Sequence, residues 1–167
     1  LDTEKIVVTG HSAGAHLAMM LAYAPDTVFC LDSVQEKRFH IIGCIPVAPL
    51  TMLYRSDMLV EGVELQPGYP RIEYLYSGGV YHDQIAHRCS PYDYITDSSV
   101  PTLFVHGTAD QLLRHENSCL AYAKGRGLGV AFDIILVQGE TIVWSRQTTG
   151  KVAIQTFCQW SRPLPSG

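Results

Sequence analysis

Four apolar runs organise the chain: residues 6–9, 41–48, 102–106 and 132–137. They are rich in Ile, Val, Leu and Phe and do not alternate strictly between apolar and polar. Such runs predict strands covered on both faces, as in a parallel sheet flanked by helices. Residues 6–9 are therefore expected to form a short buried strand. Helical patterns lie between and after these runs, over 13–24 (stopped by Pro25), near 115–124 and near 149–160. Residues 29–38 read as a polar connection and 162–167 as a frayed tail. The alternation predicts a doubly wound α/β fold with a mostly parallel sheet. Residues 51–95 are too many for a simple connection and read as an insertion. That insertion carries Tyr54, Tyr69, Tyr74, Tyr76, Tyr81, Tyr92 and Tyr94 among several turn formers. Any one of these tyrosines suits loop packing; together they offer a wall for an acyl or aryl pocket.

Chemistry enters directly after the first run, at Gly10-His11-Ser12-Ala13-Gly14. A serine with glycine two positions away on each side, after a strand and before a helix, is the nucleophile-elbow pattern. The chain must reverse sharply there, which holds Ser12 on a strained backbone with its hydroxyl exposed. Glycine on either side lets strand and helix approach closely. The alternative, a glycine-rich turn with an incidental serine, does not account for the flanking elements. Ser12 is thus the candidate nucleophile, and the Ala13 N–H is the candidate oxyanion donor.

The run Val7 to Ala18, with its GHSAGAHLA core, resembles the α/β-hydrolase fold, and within it the carboxylesterases and kynurenine-formamidase-like enzymes. The likeness extends through Pro101-Thr102-Leu103-Phe104-Val105-His106-Gly107-Thr108-Ala109-Asp110 and, weakly, to the final helical pattern. The resemblance implies an α/β-hydrolase sheet whose N-terminal strands are absent from this sequence. It also implies that a histidine-glycine loop of the oxyanion hole lies upstream, because no His-Gly-Gly run occurs here. Residues 1–167 are accordingly expected to be a partial α/β-hydrolase domain with its insertion at about 51–95.

Asp110 stands just past the carboxyl end of a predicted strand, where ligand and catalytic groups collect in open α/β sheets. The order Ser12 then Asp110 matches the hydrolase triad order. Its role would be to accept the Nδ1–H of a histidine and stabilise the imidazolium. Capping of the following helix is the structural alternative, and Asp93 and Asp97 are weaker acid candidates. His106, inside the strand, reads as structural. A triad predicts about 7–8 Å between the Ser12 and Asp110 side chains, the length of two hydrogen bonds and a ring.

The third member is missing from its expected place. No histidine follows His115, and by resemblance Ile142 (or Thr141) occupies the base position. Neither side chain can take a proton, and loss of the base alone costs about 10⁶ in kcat in a serine protease. Glu140 is a poor substitute, because a carboxylate titrates near 4.3. His82 and His87, in the insertion, are the remaining histidines to consider. Trp144 would fill the imidazole's place or anchor the loop.

Composition narrows the partners. With 47% hydrophobic and 17% charged residues the chain is globular, and its formal net charge of −4 gives no cause to expect nucleic acid or an anionic membrane. No run reaches membrane-span length. The five cysteines, Cys30, Cys44, Cys89, Cys119 and Cys158, show no C-x-x-C spacing. They read mostly as buried small hydrophobes, with no metal and no cofactor implied. One long-range disulfide stays compatible with their spacing, and the compartment is left open, with the cytoplasm slightly favoured. Three functions follow: a serine hydrolase acting on a small ester or amide through an acyl-enzyme, a degenerate hydrolase that only binds, or a lyase or cyclase on the same fold. The missing upstream half, or a second copy of the chain, is the expected protein partner.

Overall fold

The structure is a computed structural model that describes residues 3–28, 39–58 and 82–141. Its elements run in the order β1 (Ile6–His11), α1 (Ala13–Tyr23), β2 (Ile41–Val47), α2 (Asp83–Arg88), β3 (Thr102–Gly107), α3 (Glu116–Gly127) and β4 (Phe132–Val137). Single 3₁₀ turns occur at Asp26–Val28, Ser56–Met58 and Pro91–Tyr94. The four strands form one parallel sheet in the order β1-β2-β3-β4. The apolar runs therefore give the expected α/β sheet, with β2 and β3 inside it.

Successive side chains on the inner strands go to opposite faces. Cys44 and Phe104 meet Ala18 and Met19 of α1 and Ala121 of α3 on one face, closed by Val130 and Phe132. Ile45, Val47, Leu103 and Val105 cluster on the other. Every residue of β3 is buried, which is why its sequence is a continuous apolar run. β1 departs from expectation. It is half-exposed rather than buried on both faces, and Thr9 is open. Among the described residues β1 and β4 are the two edges of the sheet, so each has one flank without a neighbouring strand. The helix expected at 149–160, the connection 29–38, the tail 162–167 and Trp144 lie outside the described residues.

The described residues of the stretch 51–95 form short helix and turn, tied to α3 by polar contacts. Thr51 meets Asn117 of α3, whose Nδ2 donates to Met58 O at 3.0 Å. Tyr92 N–H donates to Thr51 O, and Lys124 Nζ donates to Tyr92 O at 2.8 Å. Of its tyrosines, Tyr69, Tyr74, Tyr76 and Tyr81 lie outside the described residues. The cysteines also need correcting. Cys44 alone among the described three is buried, and burial pushes its thiol up to about 12; Cys89 and Cys119 are half-exposed and free. Cys30 and Cys158 are outside the described residues.

Candidate active site

The turn from β1 into α1 is built by a close approach of backbone. A Cβ on Gly10 would fall onto the carbonyl of Gly14 and the amide of Ala15, so only glycine fits there. Gly14 differs from the sequence reading: a Cβ on it meets nothing within 4 Å. One glycine of the pair therefore carries the steric requirement. Between them Ser12 has φ 55° and ψ −119°, a conformation that costs a non-glycine residue on the order of 1–3 kcal/mol. Its amide still completes the sheet ladder by donating to Val47 O at 2.9 Å. Its side chain makes no cap hydrogen bond to the helix it precedes. The half-buried hydroxyl is thus not engaged in capping α1.

The first rung of α1 runs from His16 N–H to Ser12 O, 3.0 Å. The amides of Ala13, Gly14 and Ala15 precede that rung and form the positive end of the helix. Ala13 is exposed there. His16, one turn on, is buried and directs Nδ1 at Leu50 O, 3.0 Å away. Burial lowers its pKa, opposed by that backbone contact, so the neutral ring ties the start of α1 to the loop after β2. That loop opens with a second left-handed residue, Ala48 at φ 47°. Because His11 pairs with Val47, the two strained residues stand side by side at the carboxyl ends of neighbouring strands.

Asp110 lies three residues beyond β3, at the same end of the sheet. Its side chain is 1% exposed. Oδ1 accepts the N–H groups of Leu112 (2.8 Å) and Leu113 (3.0 Å). The capping alternative is met only locally, since α3 begins later, after His115. Oδ2 is buried and has no hydrogen-bond partner among the described residues. His106 Nε2 comes within 3.3 Å of it, but that nitrogen also lies 3.1 Å from Leu113 O. The contact with Oδ2 is therefore electrostatic, and an acceptor position stays open. Burial works to raise the Asp110 pKa; the His106 contact and the two backbone donors outweigh it, and the carboxyl is held below its ordinary value. A buried carboxylate with one oxygen saturated and one open is suited to receive an N–H from a base.

The loops after β3 and β4 are joined. Ala109 N–H donates to Glu140 O and Thr108 N–H to Val137 O, while Gly139 N–H donates to Thr108 Oγ1 at 3.0 Å. A Cβ on Gly107 would strike Glu140 O. The segment that ends in Asp110 and the segment that leads to residue 142 thus share one set of contacts. Ile142 itself lies outside the described residues; Thr141 and Glu140 are half-buried.

His87 belongs to a different group. Its ring stacks on Tyr54 with centroids 3.9 Å apart, and Nδ1 lies 2.6 Å from Asp93 Oδ2. Tyr54 OH donates to Asp93 Oδ1 at 2.9 Å. Neighbouring Arg88 reaches Val28 O, beyond the end of α1 remote from Ser12. His82 is exposed just before α2. His106 is the residue whose part the sequence understated: it is fully buried, yet its ring faces the Asp110 carboxylate rather than apolar core alone. The four-residue spacing from His106 to Asp110 was its only trace in the sequence. Among the described residues no group of three or more His, Cys, Asp and Glu could hold a metal ion, and no helix is long and apolar enough to cross a membrane.

A parallel sheet whose first described strand delivers serine on a left-handed turn into a helix, with a buried aspartate two strands over, defines an α/β-hydrolase fold. The chain belongs to the BD-FAE family, whose model matches residues 1–124. Solved structures of Est2, a thermophilic esterase from the planctomycete Thermogutta terrifontis, share the fold. The propionate-bound form has a TM-score of 0.68 at 22% identity and covers 97% of this chain and 58% of its own. The form phosphoramylated by tabun has a TM-score of 0.68 at 21% identity, covering 96% and 57%. This chain therefore spans somewhat over half the length of those structures. No curated protein matches the sequence.

Proposed function

We propose that this chain carries the nucleophile and the acid of a serine hydrolase that cleaves a small ester or amide through an acyl-enzyme. The observation that carries the reading is Ser12, held at φ 55° with a hydroxyl that caps nothing. In the proposed reaction Ser12 Oγ attacks the substrate carbonyl and transfers its proton to a base. The Ala13 N–H, at the positive end of α1, faces the oxygen on which charge develops. The open Oδ2 of Asp110 holds and stabilises the protonated base. The Est2 structures favour a carboxylic ester as substrate: they include propionate-bound and organophosphate-modified forms. The aryl-formamidase alternative rests on the GHSAGAHLA motif.

A second reading is favoured by one fact of the sequence. No histidine follows His115, and Ile142 stands where the resemblance puts the base. On that reading the site binds its ligand and hydrolyses slowly or not at all. Hydrolysis of p-nitrophenyl acetate by the purified protein separates the two. Turnover well above buffer that Ser12→Ala removes supports the hydrolase, with the base supplied from elsewhere in the protein. A rate close to that of buffer, raised about 10²–10⁴-fold by Ile142→His, identifies a site that has lost its base. A rate that is unchanged by Ser12→Ala and not raised by Ile142→His leaves the binding reading.

A further inference from the structure

His106 and Ser118 lie one behind the other, leading away from the Asp110 carboxylate into the core. Ser118 Oγ, in the first turn of α3, is 2.8 Å from His106 Nδ1. On the opposite side of the ring, Nε2 faces two oxygens, Leu113 O at 3.1 Å and Asp110 Oδ2 at 3.3 Å. His106 and Ser118 are both 0% exposed, so bulk water has no access to correct a mismatch of donors and acceptors.

The chemistry of the ring follows from what surrounds it. If Nε2 carried a lone pair, three acceptors would converge in a dry site with no donor among them, a strongly unfavourable arrangement. Nε2 must therefore carry a proton. In the neutral ring that leaves Nδ1 as an acceptor, and a hydroxyl is the group that can turn to donate to it. We propose that His106 and Ser118 form a buried positioning relay for Asp110: the Ser118 hydroxyl donates to Nδ1, fixes the ring as its Nε2–H tautomer, and so presents a stationary N–H edge to Asp110 and Leu113. The arrangement is a catalytic histidine–carboxylate pair turned inward. The ring never meets substrate. It holds one side of the carboxylate so that the open acceptor position of Oδ2 faces a single direction.

His106 also binds the loop to itself. Leu113 offers its carbonyl to the ring and its N–H to Asp110 Oδ1, so ring, carboxylate and loop backbone close a cycle. Breaking one member should loosen the other two. The role in catalysis rests on the reading of Asp110 as the acid; the positioning itself does not.

The full chain, labelled with ¹⁵N, tests the relay without substrate. The His106 ring is expected to show one protonated nitrogen, Nε2, and an Nδ1 resonance that moves in Ser118→Ala as its donor is lost. Protons on both nitrogens, or on Nδ1 alone, would overturn the proposal. Hydrogen exchange at the Leu112 and Leu113 amides reports how firmly Asp110 is held. His106→Phe keeps the ring volume without the N–H, and exchange there should quicken by up to about tenfold, the scale of the lost hydrogen bond to the Leu113 carbonyl. His106→Gln retains a donor and should recover most of the protection; equal exchange in the Phe and Gln variants would overturn the positioning role. Should His106→Phe not fold, Ser118→Ala carries the same exchange measurement. Ester turnover is read alongside: if Ser12→Ala leaves it unchanged, the hydrolase reading fails while the tautomer and exchange results still decide the relay.

Discussion

The two ends of the candidate site are held in place by opposite means. Ser12 is set by backbone sterics: Gly10 permits close approach to Gly14, the serine takes a left-handed conformation, and its hydroxyl is left without a capping task. Asp110 is set by its side chain. Two amides take Oδ1, a buried imidazole flanks Oδ2, and the loop beneath is bonded to the loop after β4. In the proposed role of nucleophile Ser12 would need a free lone pair and a rigid backbone, and at this position the fold constrains the chain and spares the group. In the proposed role of acid Asp110 would need a fixed charge, and at this position the fold constrains the group itself. The first strategy is vulnerable to a methyl group; the second is vulnerable to a proton.

The sharpest way to break the contrast is to add one carbon at each elbow glycine. Gly10→Ala should destabilise by about 3 kcal/mol or more, since its Cβ meets backbone that cannot turn aside. Gly14→Ala, in open space near the start of α1, should leave stability unchanged or raise it by up to about 1 kcal/mol through helix propensity. Urea denaturation compares the two directly. Equal effects would mean that the approach of strand and helix is not what fixes the turn.

Acid tests the other strategy. The Asp110 carboxyl is held below its ordinary pKa in the folded state. Its contribution is therefore present above the unfolded value, near 3.9, and is lost as pH falls through the lower folded value. His16 acts earlier with the same sign. Its ring is held neutral by burial, so stability should begin to decline below about 6.5, where the unfolded ring takes up a proton. Thermal melts from pH 8 to 2 should show both steps, and Asp110→Asn should flatten the lower one alone. The smallest effect is expected at the join between loops. Thr108→Val removes the acceptor for Gly139 N–H, and about 0.5–1.5 kcal/mol of stability should go with it. No change would show that the backbone bonds to Glu140 and Val137 suffice.

The same contrast explains what the sequence revealed. The elbow was legible because its constraint is local: strand, glycine, serine and helix occupy consecutive positions from Ile6 to Tyr23. The four strands were legible because β2 and β3 are covered on both faces. Their ends shifted by only one or two residues, and β1, at an edge, was read as more buried than it is. Asp110 was found by its place after a strand. Its setting was not, because His106 and Ser118 sit twelve residues apart on a strand and a helix. A histidine within an apolar run looks the same whether it faces Leu or a carboxylate. Gly14 misled for a related reason: the motif names two glycines, but only packing reveals which of them is crowded.

The hydrogen-bonded register of β1, β2 and β3 has a consequence for how such a protein can change. The chain leaves the sheet at Val47 and returns at Thr102, yet the spacing between β1, which leads to Ser12, and β3, which leads to Asp110, does not depend on the segment between. It is counted in strand widths, two of them or about 10 Å. The rungs from Ser12 N–H to Val47 O and from Ala48 N–H to Val105 O keep the count. Segments between strands can therefore be lengthened, shortened or exchanged, altering what the surface presents, while the spacing of the strands that lead to Ser12 and Asp110 stays the same.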